Sequence, residues 1–207
     1  MFWSLFKLSP YILVLYFSHS GGTANLAKEI CYGVDSVSGI ESKLRTVAPI
    51  STETEQTKPS VPEAGAVYCD KQDLSGCAGL ALGSATRFGN MASPMKHFLD
   101  TTADLWMANA LEGKPAAVFT SSNSLHGGQE TTLLSMMIPL FHHGMLITGL
   151  PYSESALKNT KTGGTPYGVT HLGSLGSELS SDEKTLAKKA GENLARKALA
   201  LQKIFSE

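Results

Sequence analysis

The run Ile12-Leu13-Val14-Leu15-Tyr16-Phe17, followed at once by Ser18-His19-Ser20-Gly21-Gly22-Thr23, decides the fold. An unbroken apolar run of this length reads as a strand buried on both faces, the form that parallel strands take in sequence. From Thr23 onward Leu26, Ile30 and Val34 recur at helical spacing, so the whole stretch is a strand, a polar loop and a helix. The pattern returns twice. Gly79-Leu80-Ala81-Leu82 leads into Gly83-Ser84-Ala85-Thr86-Arg87-Phe88-Gly89-Asn90, and Pro115-Ala116-Ala117-Val118-Phe119 leads into Thr120-Ser121-Ser122-Asn123-Ser124-Leu125-His126-Gly127-Gly128. Open α/β sheets bind ligands in the crevice beyond the carboxyl ends of their strands. Three loops in that position converge on one site, and their chemistry suits a phosphate and a planar polar ring.

Outward from these units, five strands are expected at 11–17, 41–47, 79–83, 115–120 and 145–149, alternating with helices and so forming a parallel sheet covered on both faces. The stretch 41–46 alternates more and less polar positions, as an edge strand does. A helix starts near Ser93-Pro94, where proline suits the first turn, and shows Met95, Phe98 and Leu99. Another follows Gln129 through Leu133, Leu134 and Met137, with Pro139 expected to bend or divide it. The last starts at Ser181 behind a capping box of Ser180 and Glu183. Its Ala187, Ala190, Leu194, Ala198, Leu201 and Phe205 make one apolar stripe. Two segments fit no element: 49–70, an excursion between the second and third strands, and 154–177, which contains Gly163-Gly164-Thr165-Pro166-Tyr167-Gly168. Both are expected to serve function or an interface.

The chain has 207 residues, enough for one α/β domain with a substantial core. Residues 1–10 are expected to be a frayed N-terminal extension, and residues 11–207 a single domain. Lys7 as the only early cation, the break at Pro10 and the lack of a small-residue cleavage site argue against a signal peptide. The net charge of −1 gives no reason to expect nucleic acid or an anionic membrane as partner. Cys31, Cys69 and Cys77 are odd in number and form no CxxC pair, which points to a reducing compartment, the cytoplasm, and away from disulfides or a zinc site.

The first loop offers the unpaired amides and positive dipole end of a helix N-terminus, with Ser18, Ser20 and Thr23 as hydroxyl donors. It is neither GxGxxG nor GxxxxGK[ST], so the dinucleotide-fold and P-loop signatures are absent. A glycine turn capped by Thr23 is the plain structural alternative. Ser-x-x-Gly-x-Thr after a first strand resembles the phosphate loop of the flavodoxin-like superfamily. Thr86-Arg87-Phe88-Gly89-Asn90-Met91, His126-Gly127-Gly128-Gln129-Glu130-Thr131-Thr132, His142-His143-Gly144-Met145 and the Gly163–Gly168 motif narrow the resemblance to the WrbA-type NAD(P)H:quinone oxidoreductases, over residues 11 to the end of the final helix.

The resemblance implies a flavodoxin-like open, five-stranded parallel sheet in the order 2-1-3-4-5, an FMN cofactor, and two-electron transfer from NAD(P)H to quinones by a ping-pong mechanism. It further implies a homotetramer, with no metal and no nucleic-acid or membrane partner. It assigns Ser18, His19, Ser20, Gly21, Gly22 and Thr23 to the FMN phosphate, and Thr86, Arg87 and Phe88 to one side of the isoalloxazine, with Asn90 setting that loop. Ser121, Ser122, Asn123, Ser124, Leu125, His126 and Gly127 take the other side, with His142 reaching the cofactor from a helix end and Trp106 walling the nicotinamide and quinone pocket. The chain departs from the commonest pattern at Ala85, at Asn123 and at His19-Ser20. Bland readings stand beside these: Arg87 as a surface ion-pair residue, His142 and His143 as helix C-terminal histidines facing the dipole, His126 as loop surface, Trp106 as core. The rival functions are a flavodoxin-type one-electron carrier, which needs an acidic docking face that this near-neutral chain lacks, and a non-enzymatic FMN-binding partner protein.

Overall fold

The computed structural model describes residues 9–50 and 65–204. The stretch 1–8, most of the 49–70 excursion and Phe205 lie outside the described residues. Strand β1 (Tyr11–Phe17) has Ile12, Leu13, Val14 and Leu15 fully buried. Successive side chains of a strand point to opposite faces, so Ile12, Val14 and Tyr16 enter one core while Leu13 and Leu15 enter the other. Parallel to β1 lie β2 (Glu41–Thr46) on one side and β3 (Gly79–Arg87) on the other, and β5 (Pro115–Ser122) continues the sheet beyond β3. A two-residue strand β4 (Asn90–Met91) folds back antiparallel on the end of β3.

The fifth position differs from the expected single strand at 145–149. It is shared by β6 (Leu146–Ile147), paired to the start of β5, and β7 (Val169–Leu172), paired to its end. Between them the chain leaves the sheet, forms helix α6 (Ser155–Asn159), and returns. Thus the segment 154–177 is structural in part, because it carries a buried strand of the sheet. Val169-Thr170-His171-Leu172 hides from sequence inspection because two of its buried residues are polar. Thr170 is buried by accepting a hydrogen bond from Gly164 N (2.7 Å).

Helices α1 (Gly22–Asp35) and α7 (Ser181–Ile204) cover one face; α3 (Ser93–Asp100) and α5 (Gln129–His142) cover the other, with the short helices α2 (Lys71–Ser75) and α4 (Ala103–Met107) beside them. Helix α5 runs through Pro139 without dividing. Asp73 of α2 anchors the edge strand by accepting from Arg45 Nε (2.8 Å) and pairing with Lys43. Helices α1 and α7 touch backbone to backbone. A Cβ on Gly33 would stand 1.9 Å from the Lys188 carbonyl oxygen, and one on Gly191 would stand 2.1 Å from the Ile30 carbonyl oxygen.

That contact predicts that Gly191→Ala destabilises the chain by about 1–3 kcal/mol, the range typical of an overpacked contact. For a chain of this size each kcal/mol lowers the thermal midpoint by roughly 2–4 °C. A midpoint equal to the parent's in calorimetry would contradict the close packing of α1 on α7.

Candidate functional site

The three polar loops do meet at the carboxyl edge of the sheet. In the first, Ser18 Oγ accepts from Gly21 N (3.1 Å), and Asn25 N is the first helical amide with an i−4 partner, the Gly21 carbonyl (2.9 Å). The amides before Asn25 have no carbonyl within the helix to bond, so the loop presents donors to an anion. Thr23 is fully buried and does not cap the helix. Its hydroxyl lies 2.7 Å from Ser121 Oγ and ties the first loop to the third.

The second loop is a tight hairpin between β3 and β4. Phe88 and Gly89 occupy its turn with φ of 51° and 73°, the left-handed values that a two-residue type I′ turn requires. Phe88 is an unusual tenant of that region and is wholly exposed, while Asn90 Oδ1 accepts from Met91 N (2.8 Å). Thr86 Oγ1 lies 3.2 Å from both Thr120 Oγ1 and Thr132 Oγ1, which joins the second loop to the third strand and its helix. Within the third loop Ser122 is buried, donating to Ser124 O (2.7 Å) and accepting from Gln129 Nε2 (3.0 Å). Asn123, Ser124, Leu125 and His126 are exposed.

A cleft of about 840 Å³ opens beside these loops, lined by Phe17, His19, Arg87, Phe88, Asn90 and Lys96 among others. Pro49 and Ile50 also line it, a contribution from the 49–70 segment that no motif signalled. Among the described residues Asp100 is its one acidic lining residue, and it pairs with Lys96. Trp106 and His142 are not in this cleft. They line a second cavity of about 450 Å³ with Thr102, Ile138 and His143, and Lys96 and Asp100 of α3 border both spaces. His143 Nε2 donates to Thr102 Oγ1 (3.0 Å), whose own proton goes to Leu99 O. Burial, together with the neighbouring His142, lowers the His143 pKa, so this imidazole is neutral near pH 7.

Beneath the first loop lies a pair that the motifs did not announce. His171 of β7 and Glu183 of α7 are each 1% exposed. Glu183 does close the expected capping box: Ser180 N donates to Oε2 (2.8 Å) and Glu183 N donates to Ser180 Oγ (3.2 Å). It also accepts from Gly163 N (2.9 Å), Leu172 N (3.2 Å) and His171 Nδ1 (3.0 Å). Burial alone would raise its pKa, but the His171 bond and the amides outweigh burial and bring it down to about 2. For His171 burial works toward neutrality, and Glu183 and the Gly176 carbonyl overcome it, so the imidazole pKa is raised. By contrast, burial pushes the Cys77 thiol to about 11 and raises Cys31 and Cys69, leaving thiols with no nucleophilic role at neutral pH.

A parallel sheet in this strand order, with glycine- and hydroxyl-rich loops gathered at its carboxyl edge, defines a flavodoxin-like protein. The family model described as NADPH-dependent FMN reductase matches residues 12–156. A protein of Chromohalobacter salexigens named NAD(P)H dehydrogenase (quinone) is 41% identical over 196 residues, covering 92% of this chain and 98% of that one. A protein of the same name from Syntrophobacter fumaroxidans is 39% identical over 199 residues, covering 92% and 98%. Among solved structures, a flavodoxin, WrbA-like protein from Agrobacterium tumefaciens superposes with a TM-score of 0.65 at 19% identity, covering 93% of this chain and 99% of that one. An archaeal flavodoxin gives 0.58 at 18% identity, covering 91% and 99%. The chain belongs to the NADPH-dependent FMN reductase family, together with these relatives named NAD(P)H dehydrogenase (quinone). Among the described residues no cluster of His, Cys, Asp and Glu could hold a metal ion, and no helix is long and apolar enough to cross a membrane.

The buried pair makes stability depend on pH in two directions. Glu183, with its lowered pKa, contributes fully above the unfolded carboxylate value of about 4.3 and loses its contribution as pH falls toward 2. His171, with its raised pKa, contributes fully below about 6.5 and loses its contribution as pH rises through its folded-state value. Urea unfolding across pH therefore falls off on both sides of a plateau between roughly pH 5 and 6. Glu183→Gln is expected to flatten both limbs while lowering stability on the plateau by about 3 kcal/mol, as breaking a buried pair does. Unchanged limbs in that variant would contradict the pairing.

Proposed function

We propose that this chain is an FMN-dependent enzyme that transfers two electrons from NAD(P)H to quinones. The observation that carries the reading is the joining of the three loops by buried and half-buried hydroxyls into one rim, with Thr23 on Ser121 and Thr86 between Thr120 and Thr132. Relatives named for NAD(P)H-dependent quinone reduction match the chain over nearly its full length. The residues fit the cofactor. The donor-rich helix N-terminus suits a phosphate dianion, and the hydroxyls of Ser18 and Ser20 add donors there. When bound, FMN supplies the redox chemistry, taking hydride from the nicotinamide and giving two electrons to the quinone.

The protein's part is binding and electrostatics. Residues 18–22 hold the phosphate, with Thr23 buried behind them as the tie to Ser121; Thr86, Arg87 and Phe88 border one side of the ring with Asn90 shaping their turn, and residues 121–127 border the other. Arg87 stands on the cleft, placing positive charge where negative charge arrives on reduction. One cleft serves donor and acceptor in turn, which is the basis for ping-pong kinetics.

Trp106 and His142 line the second cavity, so their part in the site requires a neighbouring subunit to carry them there. The assembly we propose is a cytoplasmic homotetramer. Trp106, Leu134, Ile138 and Phe141 are exposed apolar side chains of α4 and α5, and a subunit contact would cover them.

The reading predicts that FMN binds at least about tenfold more tightly than riboflavin, because charge-assisted hydrogen bonds contribute about 1.5–3 kcal/mol each. Equal affinities in titration calorimetry would refute the phosphate assignment. Light scattering of the FMN-loaded protein is expected to give four times the 22.0 kDa chain mass; a monomer would refute the assembly.

A further inference from the structure

His171 carries a charge that its surroundings dictate. Its Nε2 lies 2.9 Å from the Gly176 carbonyl oxygen, which can only accept, so Nε2 bears a proton. Its Nδ1 lies 3.0 Å from Glu183 Oε2. That carboxylate also accepts from the Ser180, Gly163 and Leu172 amides, an arrangement that holds it ionised. Nδ1 therefore donates as well, and the ring is an imidazolium.

The cation stands directly behind the first loop. A Cβ on Gly22 would fall 2.5 Å from His171 Cδ2 and 3.3 Å from Nε2, so the ring packs on the first helical residue of α1 where only glycine fits. Through Gly176 the ring also fixes the turn at 173–177, which borders the loop: Asn25 Nδ2 donates to Ser177 O (2.8 Å). The surroundings of the ring are Glu183 from α7, Gly22 from α1, Ser121 as its register partner on β5, and the Gly176 carbonyl. Glu183 is the ionisable member of that set.

We propose that the His171–Glu183 pair is a positioning and electrostatic element of the phosphate loop, its imidazolium end set against Gly22 so that it strengthens binding of the FMN phosphate without touching it. The inference rests on the FMN reading above. The pair is neutral in sum but oriented, with its cation at the loop and its carboxylate behind it in α7. Replacing His171 alone leaves a buried carboxylate behind an anion site. Replacing both partners removes the two charges together, which is the milder change.

The test is titration of FMN and of riboflavin into the apo form of the full chain, for the parent, His171→Gln, and His171→Gln with Glu183→Gln. His171→Gln is expected to weaken FMN about tenfold, the order of a single Coulombic interaction at a partly buried site, and to leave riboflavin within about twofold. The double variant should lie between it and the parent. In the parent, the FMN-to-riboflavin affinity ratio should rise as the phosphate loses its second proton near pH 6 and fall again at alkaline pH as His171 deprotonates; His171→Gln should lack the alkaline fall. If His171→Gln fails to fold, the double variant and the parent's pH profile still decide. Equal weakening of FMN and riboflavin, or a parent ratio without an alkaline fall, would overturn the proposal. A parent that binds no FMN would remove the cofactor assignment itself, and that result is read before any substitution.

Discussion

The carboxylate of Glu183 is the constraint on which the second half of the molecule depends. It accepts from the Gly163, Leu172 and Ser180 amides and from His171, gathering a glycine turn, the last strand, the start of α7 and the turn at 173–177 around one buried anion. Such a pair repays its desolvation only when its remaining lone pairs and protons are satisfied, and here they are. With α7 fixed at its first turn, the helix meets α1 through Gly33 and Gly191, and α1 in turn presents its N-terminus to the crevice.

The site itself is built from hydroxyls rather than charges. Thr23, Ser84, Thr120 and Thr132 are fully buried, and each is engaged by a neighbouring loop, strand or helix. Ala92 N donates to Ser84 Oγ (2.8 Å) and Thr120 Oγ1 donates to Ser84 O (2.6 Å), so the returning strand β4 is moored to the sheet under the Phe88 turn. A rim of this kind holds a ligand's shape and leaves the redox work to the ligand. That is why a chain with no activated thiol can still be an oxidoreductase.

Much of this was legible in sequence, and the exceptions have a common cause. The strands at 11–17 and 115–120 are apolar on both faces and could be read as buried, and the helices on Leu26, Ile30 and Val34 and on Met95, Phe98 and Leu99 follow from spacing. The loops converge as expected because strand order alone places them together. The strand at 145–149 is present as β6, whereas β7 escapes sequence reading because Val169-Thr170-His171-Leu172 is half polar, and its burial depends on Gly164 and Glu183, partners that only the folded chain supplies. Glu183 was legible as a capping residue, since the cap is local, and illegible as an ion-pair partner. Trp106 and His142 were grouped with the loops through resemblance, whereas one chain puts them across α3 in a different cavity.

The most direct test of the central claim is an anaerobic visible spectrum of the FMN-loaded protein during stepwise addition of NADPH and then of a quinone. The flavin absorbance should bleach fully with one equivalent of NADPH per bound FMN and return in full with one equivalent of quinone. A flavin that nicotinamide leaves oxidised, or a protein that retains no flavin, would contradict the account.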